Sequence, residues 1–120
     1  MDSSEIKSVI QTYFDASYEN NEEKMMDALS DSAHVYGHDE NGALRDWDKK
    51  TFIKIVGDKS RSGYPRLNEI LGIDFTGENT AVARVKLRVG DTIFTDVLSF
   101  IRIDGKWSII SKLLSGVPVD

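Results

Sequence analysis

The stretch from Phe94 to Leu114, FTDVLSFIRIDGKWSIISKLL, sets an Asp104-Gly105 pair between two runs of alternating apolar residues. Both central residues of a type I′ turn need positive φ, which Asp and Gly tolerate, so the pair predicts a two-residue β-hairpin. A loop of that length also sets the register. Ile103 falls opposite Lys106, Arg102 opposite Trp107, Phe100 opposite Ile109, Leu98 opposite Ser111 and Asp96 opposite Leu113. Opposed residues point to the same face. One face therefore carries Phe94, Asp96, Leu98, Phe100, Trp107, Ile109 and Leu113, and the other Thr95, Val97, Ser99, Ile101, Ser108, Ile110 and Lys112. The first has the bulkier apolar side chains and is the face to be covered, which puts a carboxylate, Asp96, inside.

The preceding strand agrees. Ala81, Ala83, Val85 and Leu87 alternate with Val82, Arg84, Lys86 and Arg88. If Gly90-Asp91 is a second two-residue turn, Leu87 opposes Phe94, Val85 opposes Asp96 and Ala83 opposes Leu98. Before the turn at Gly77 to Asn79, Leu67, Glu69, Leu71, Ile73 and Phe75 give another period-two run, long enough for a bulge to be expected.

Toward the N-terminus the period is helical. Asp2 and Glu5 have capping-box spacing, followed by Ile6, Val9, Ile10, Tyr13, Phe14 and Ser17, and this helix should end near Glu19-Asn20-Asn21. Asn21 can cap a shorter helix whose Met25, Met26 and Leu29 face inward, stopping around Ser30. Ser32 to Asp39 reads as a short strand ended by a turn cluster, and Ala43 to Trp47 as a further strand or turn. Asp48 is an N-cap candidate, with Trp47 and Phe52 at hydrophobic-staple spacing and Gly57 closing the helix. The expected class is α+β, helices packed on a curved, mainly antiparallel sheet.

The 120 residues suit a single domain over 1–120. Fifteen Lys and Arg against twenty Asp and Glu leave a formal charge of −5, which offers no global attraction to nucleic acid or an anionic membrane. There is no cysteine, hence no disulfide, thiolate nucleophile or Cys-rich zinc site. The N-terminus lacks signal-peptide features, and no apolar run approaches the roughly 20 residues of a membrane span, so a cytoplasmic location is expected.

The order of elements, together with the aromatic-x-Asp-x-Leu pattern of Phe94, Asp96 and Leu98 leading into Ile103 to Lys112, resembles the lumazine-binding-like branch of the nuclear-transport-factor-2-like superfamily. The stretch around Ser32 to Gly42 and the Tyr13 helix agree with it. The resemblance implies a cone-shaped barrel, often a homodimer, with a pocket between sheet and helices. Its relatives include ketosteroid isomerases, SnoaL-like polyketide cyclases and non-enzymatic binding domains, so fold alone does not give an activity. In the isomerases the general-base Asp lies at the position that Gly37 occupies here. Tyr13 corresponds to their first-helix oxyanion donor and Asp96 to their late-strand Asp, in the context Asp-Val-x-x-Phe. With the base missing, steroid isomerisation is not expected.

Asp96 is the leading chemical candidate, because a carboxylate on an apolar face is unfavourable unless paired, hydrogen-bonded or protonated. Tyr13, on the inward stripe of the first helix, can join it in catalysis or in holding a ligand. Tyr36, Trp47, Phe52, Phe94, Phe100 and Trp107 can line a slot for a flat ligand, with core packing the alternative for each. His34, Tyr36 and His38 share one strand face, but with Asp39 they lack a recognisable third metal ligand, and no metal site is assigned. Arg84, Lys86 and Arg88 form a basic stripe suited to solvent. Ile93, Val97, Ile101 and Ile110 on the same face suit a homodimer interface. The preferred reading is a protein that binds an unknown small molecule in a largely apolar pocket. The rivals are a cofactor-free lyase or isomerase using Asp96 as acid or base, and a dimerising structural module with a vestigial pocket.

Overall fold

Ile6, Ile10, Tyr13 and Phe14 are all buried along one side of α1 (Ser4–Glu19), the stripe that their spacing predicts. In this computed structural model, which describes residues 2–119, Asp2 Oδ1 accepts from the Ser4 N–H at 2.8 Å. Asn20 ends the helix in the left-handed conformation, φ 55°, which Asn adopts more readily than most residues. Asn21 then caps α2 (Glu22–Ala28), accepting from the Lys24 N–H at 3.1 Å. This helix is shorter than expected. Met25 is buried, Met26 is exposed, and Leu29 is buried as the first residue of a strand.

The strands are β1 (Leu29–His38), β2 (Leu44–Asp48), β3 (Asn68–Phe75), β4 (Thr80–Val89), β5 (Thr92–Ile103) and β6 (Lys106–Pro118). Between β2 and β3 lies α3 (Lys49–Val56), capped by Asp48, whose Oδ1 accepts from the Thr51 N–H at 2.8 Å. The Trp47 and Phe52 rings stack at 6.3 Å across this cap. All six strands form one sheet in the order β2-β1-β6-β5-β4-β3, antiparallel throughout except for β1 against β6. The class is α+β as expected, but the barrel is not closed: β2 and β3 remain edges. The core lies between the helices and the sheet face bearing Ala81, Ala83, Val85, Leu87, Leu98 and Phe100, all buried.

Both turns are of the two-residue kind. Asp104 and Gly105 have φ of 50° and 78°, and the second turn pairs Val89 with Thr92. The β4–β5 register matches the sequence reading, with Leu87 opposite Phe94, Val85 opposite Asp96 and Ala83 opposite Leu98. The expected bulge in β3 is present between Ile70 and Gly72.

The β5–β6 ladder departs from the reading halfway along. Phe100 pairs with Ile109, but Ser99 then pairs with Ser111, leaving Ile110 as an extra residue on β6. Beyond it Leu98 faces Lys112 and Asp96 faces Leu114. One inserted residue exchanges the two faces of everything after it. Lys112, expected outside, is therefore buried, and Leu113, expected inside, is 55% exposed.

Candidate functional site

Asp96 is carried into the interior by the β4–β5 register, and its side chain has no solvent exposure. Tyr13 reaches it from the buried stripe of α1 and donates its hydroxyl hydrogen to Asp96 Oδ2 at 2.6 Å. Lys112, turned inward by the β6 bulge, places Nζ 3.5 Å from the same oxygen. That ammonium also lies over the rings of Phe52 at 4.5 Å and Tyr13 at 4.8 Å, a cation–π setting that partly replaces lost hydration. Asp96 Oδ1 has no hydrogen-bond partner, the one buried side-chain polar atom so placed among the described residues.

These groups line a cavity of about 120 Å³ whose apolar walls include Trp47, Phe52, Leu87, Val89, Phe94 and Leu114. An apolar cavity of roughly 150 Å³ holds benzene, so the space suits a compact ring-sized molecule. Burial, with the Asp96 charge and hydrogen bond adding to it, pushes the Tyr13 phenol well above its ordinary value. Burial draws the Lys112 ammonium below the ordinary lysine value, and Asp96 opposes part of that shift. Tyr13 is thus an O–H donor at neutral pH, committed to Asp96. The arrangement can hold a ligand polar atom at Oδ1, or exchange a proton there, beside a fixed cation.

Of the residues expected at the site, Tyr13, Trp47, Phe52, Phe94 and Asp96 do line the cavity. Three do not. Tyr36 alternates away from buried Val35, onto the outer face of β1, where it stacks on His34 at 5.9 Å. Phe100 is buried in the filled core, two residues beyond Leu98 toward the Asp104-Gly105 turn. Trp107 packs edge-on against Phe75 at 6.0 Å with the Arg102 guanidinium over it at 5.4 Å, outside the cavity. Gly37 faces inward and supplies no carboxylate at the position of the isomerase base; a Cβ there would lie 2.9 Å from Leu114 Cδ1, so that side chain would have to shift to admit one. His34 is engaged by Asp46 at 2.6 Å, and no three potential metal-ligating side chains gather among the described residues.

Among the lining residues that the sequence reading did not assign to the site, three are charged: Lys112, Arg45 and Arg61. Arg45 is legible once β2 is a strand, because it alternates in step with Trp47. Lys112 needed the bulge, and Arg61 a loop fold that periodicity does not encode.

The model of the family described as "Putative lumazine-binding" matches residues 1–115. Aldolase FrzH of a Cladobotryum species is 25% identical over 121 residues, covering 97% of this chain and 94% of that protein. An NTF2-like protein of unknown function from Shewanella baltica OS155 superposes with a TM-score of 0.86 at 23% identity, covering 94% of this chain and 91% of the other. A ketosteroid isomerase-like protein from Erwinia carotovora atroseptica SCRI1043 superposes at 0.74 with 13% identity, covering 95% of each. No helix among the described residues is long and apolar enough to cross a membrane. The family match over nearly the whole length makes this chain a member of the family described as putative lumazine-binding, and its fold is that of the NTF2-like proteins.

Proposed function

We propose that the cavity binds a compact carbonyl compound and that Asp96 moves a proton on it without a cofactor. The observation that carries this reading is the buried, unpartnered Asp96 Oδ1. An unsatisfied buried polar atom costs about 1–3 kcal/mol, a cost that a bound ligand would offset and that function can maintain. The likeness to an aldolase supports the choice of a carbonyl compound, since aldol chemistry makes or breaks a carbon–carbon bond beside a carbonyl. In the forward step Oδ1 takes a proton from the carbon next to the carbonyl. The C–H electron pair becomes the new C=C bond, and the carbonyl π pair moves to oxygen. Lys112, the cation nearest Asp96, offsets the developing negative charge. Tyr13 is a positioning residue here, because its hydroxyl is committed to Asp96 Oδ2 and not to the substrate oxygen.

Deuterium uptake by cyclohexanone in D2O, followed by NMR, tests the reading. The protein should accelerate exchange beside the carbonyl, and Asp96→Asn should abolish the acceleration while remaining folded. Acceleration that survives Asp96→Asn would overturn the acid/base role. No acceleration, combined with a ligand retained in native mass spectrometry, would favour binding without chemistry.

A homodimer belongs to the same reading. Val97, Ile101 and Ile110 are half-buried, and Leu113 and Val117 exposed, on the sheet face opposite the helices. A second copy would cover them by twofold packing. A dimer in sedimentation at micromolar concentration is the expected result, with Ile101→Lys shifting it to monomer.

A further inference from the structure

We propose that the ligand is an anion, a ring-sized organic acid whose carboxylate is held by Arg45 and Arg61. This rests on the reading of the cavity as a small-molecule site and adds the ligand's charge. The charged residues lining the cavity are Lys112, Arg45 and Arg61 against the single carboxylate of Asp96. A chain with a formal charge of −5 thus concentrates a positive excess at its cavity. Lys112 is accounted for by Asp96. The two arginines are not.

Among the described residues Arg66 binds Asp15, Lys24 binds Glu19, Lys49 binds Asp31 and Lys106 binds Asp27, while exposed basic side chains such as Lys7 and Arg84 pair with no carboxylate; Arg45 and Arg61 differ from those in lining the cavity. Among the described residues neither Arg45 nor Arg61 forms an ion pair. Both are only half exposed. Arg45 lies over the Trp47 ring at 4.8 Å, which holds the guanidinium while leaving N–H groups available for a planar, two-point contact with a carboxylate. Arg61 is held from behind, its stem packed on the turn at Gly90, where a Cβ would come within 3.1 Å of Arg61 Cγ. Its segment is tied to the end of α1: Ser62 Oγ donates to Asn20 Oδ1 at 2.6 Å, and Asn20 Nδ2 donates to Val56 O and Asp58 O, each at 3.1 Å. The positive field of Arg61 reaches Lys112, adding to the effect of burial on that ammonium. An acid seated here would neutralise the excess while its ring fills the apolar walls.

The probes are 4-hydroxybenzoate and its neutral amide, 4-hydroxybenzamide, titrated at low salt while the Trp47 indole N–H is followed by NMR. The acid should bind about tenfold or more tightly than the amide, the margin expected of a charge-assisted contact. Arg45→Gln and Arg61→Gln should each erase most of that margin and leave the amide unchanged. Arg61→Lys, which keeps the charge, should retain part of it, separating lost charge from lost fold. Added salt should narrow the gap. Equal binding of acid and amide would overturn the anion assignment and leave the cavity standing as a ligand site. Binding of neither at millimolar concentration would overturn both.

Discussion

The two ends of the β5–β6 ladder share strands, sheet face and core, yet one end is filled and the other is hollow. Toward the Asp104-Gly105 turn, Phe100 pairs with Ile109 and Arg102 with Trp107, and apolar side chains close the interior. Past the extra residue at Ile110, the facing set becomes Leu98 with Lys112 and Asp96 with Leu114, and a cavity of about 120 Å³ opens. Without the bulge, the alternation of β6 would put Leu113 against Asp96 and leave the carboxylate no internal cation. A single inserted residue therefore separates the part of the sheet that stabilises from the part that can do chemistry.

The filled end should be the stability reservoir. Phe100→Ala removes a ring that is 1% exposed, and the expected cost is about 3–5 kcal/mol in chemical denaturation. A loss below about 1 kcal/mol would mean that the two ends are alike in packing and that the contrast is wrong.

At the hollow end, Lys112→Met keeps the length of the side chain and removes its charge. Breaking a buried ion pair from one side costs about 3–5 kcal/mol. The lower end of that range is expected, because the Tyr13 hydroxyl still donates to the remaining carboxylate. Combining it with Asp96→Asn should recover most of the loss, since no unpaired charge then remains. If the double variant is no better than Lys112→Met alone, Lys112 contributes by packing on Phe52 and Tyr13, and not through Asp96.

The pH dependence separates the ends further, because the two buried groups with shifted protonation, Tyr13 and Lys112, both sit at the hollow end. Lys112 in the folded chain releases its proton below the ordinary value of 10.5. Between those two values the unfolded chain binds the extra proton, so stability rises with pH. Tyr13 behaves oppositely. Above the ordinary 10.0 the unfolded phenol ionises while the folded one stays protonated, so stability falls. Each group can contribute at most about 1.4 kcal/mol per pH unit. In denaturation from about pH 8 to 11, Lys112→Met should remove the rise and Tyr13→Phe the fall, whereas Phe100→Ala should lower the curve without changing its slope. Parallel curves for wild type and Lys112→Met would contradict the assignment.

The register of the filled end was legible in the sequence because its determinants are local, an Asp-Gly turn, strict alternation and bulky apolar partners, although Phe100 and Trp107 were expected at the ligand slot and instead pack outside it. Asp96 was legible for the same reason, and both turns agreed on its face. The capping residues Asn21 and Asp48 and the Trp47–Phe52 pair could also be read, since each depends on a few neighbouring side chains. Lys112 could not, because no glycine or proline marks the bulge at Ile110, and register changes of this kind are decided by packing across the sheet. Tyr36 was misplaced because a short strand of mixed polarity, with His34 and His38 beside it, gives little indication of which face turns inward. The open sheet edge at β2 follows from long-range pairing that no local pattern specifies.

The smallest effect is the sharpest test of the bulge. Leu113 and Leu114 are sequence neighbours of identical chemistry, and the register alone decides which of them is inside. Leu113 is 55% exposed, while Leu114 packs against the core and lines the cavity. Leu113→Ser should therefore change the stability of the isolated subunit by less than about 0.5 kcal/mol, as exposed substitutions usually do. Leu114→Ser should cost clearly more, of the order of 1–3 kcal/mol, through lost apolar burial. If the outer face meets a second copy, Leu113→Ser will also weaken dimerisation, so the comparison belongs in the Ile101→Lys background, where only folding is read. The reverse ranking would restore the unbulged register, return Lys112 to the surface and remove the cation from Asp96. Equal costs would mean that the β6 segment beyond Ile110 has no settled face at all.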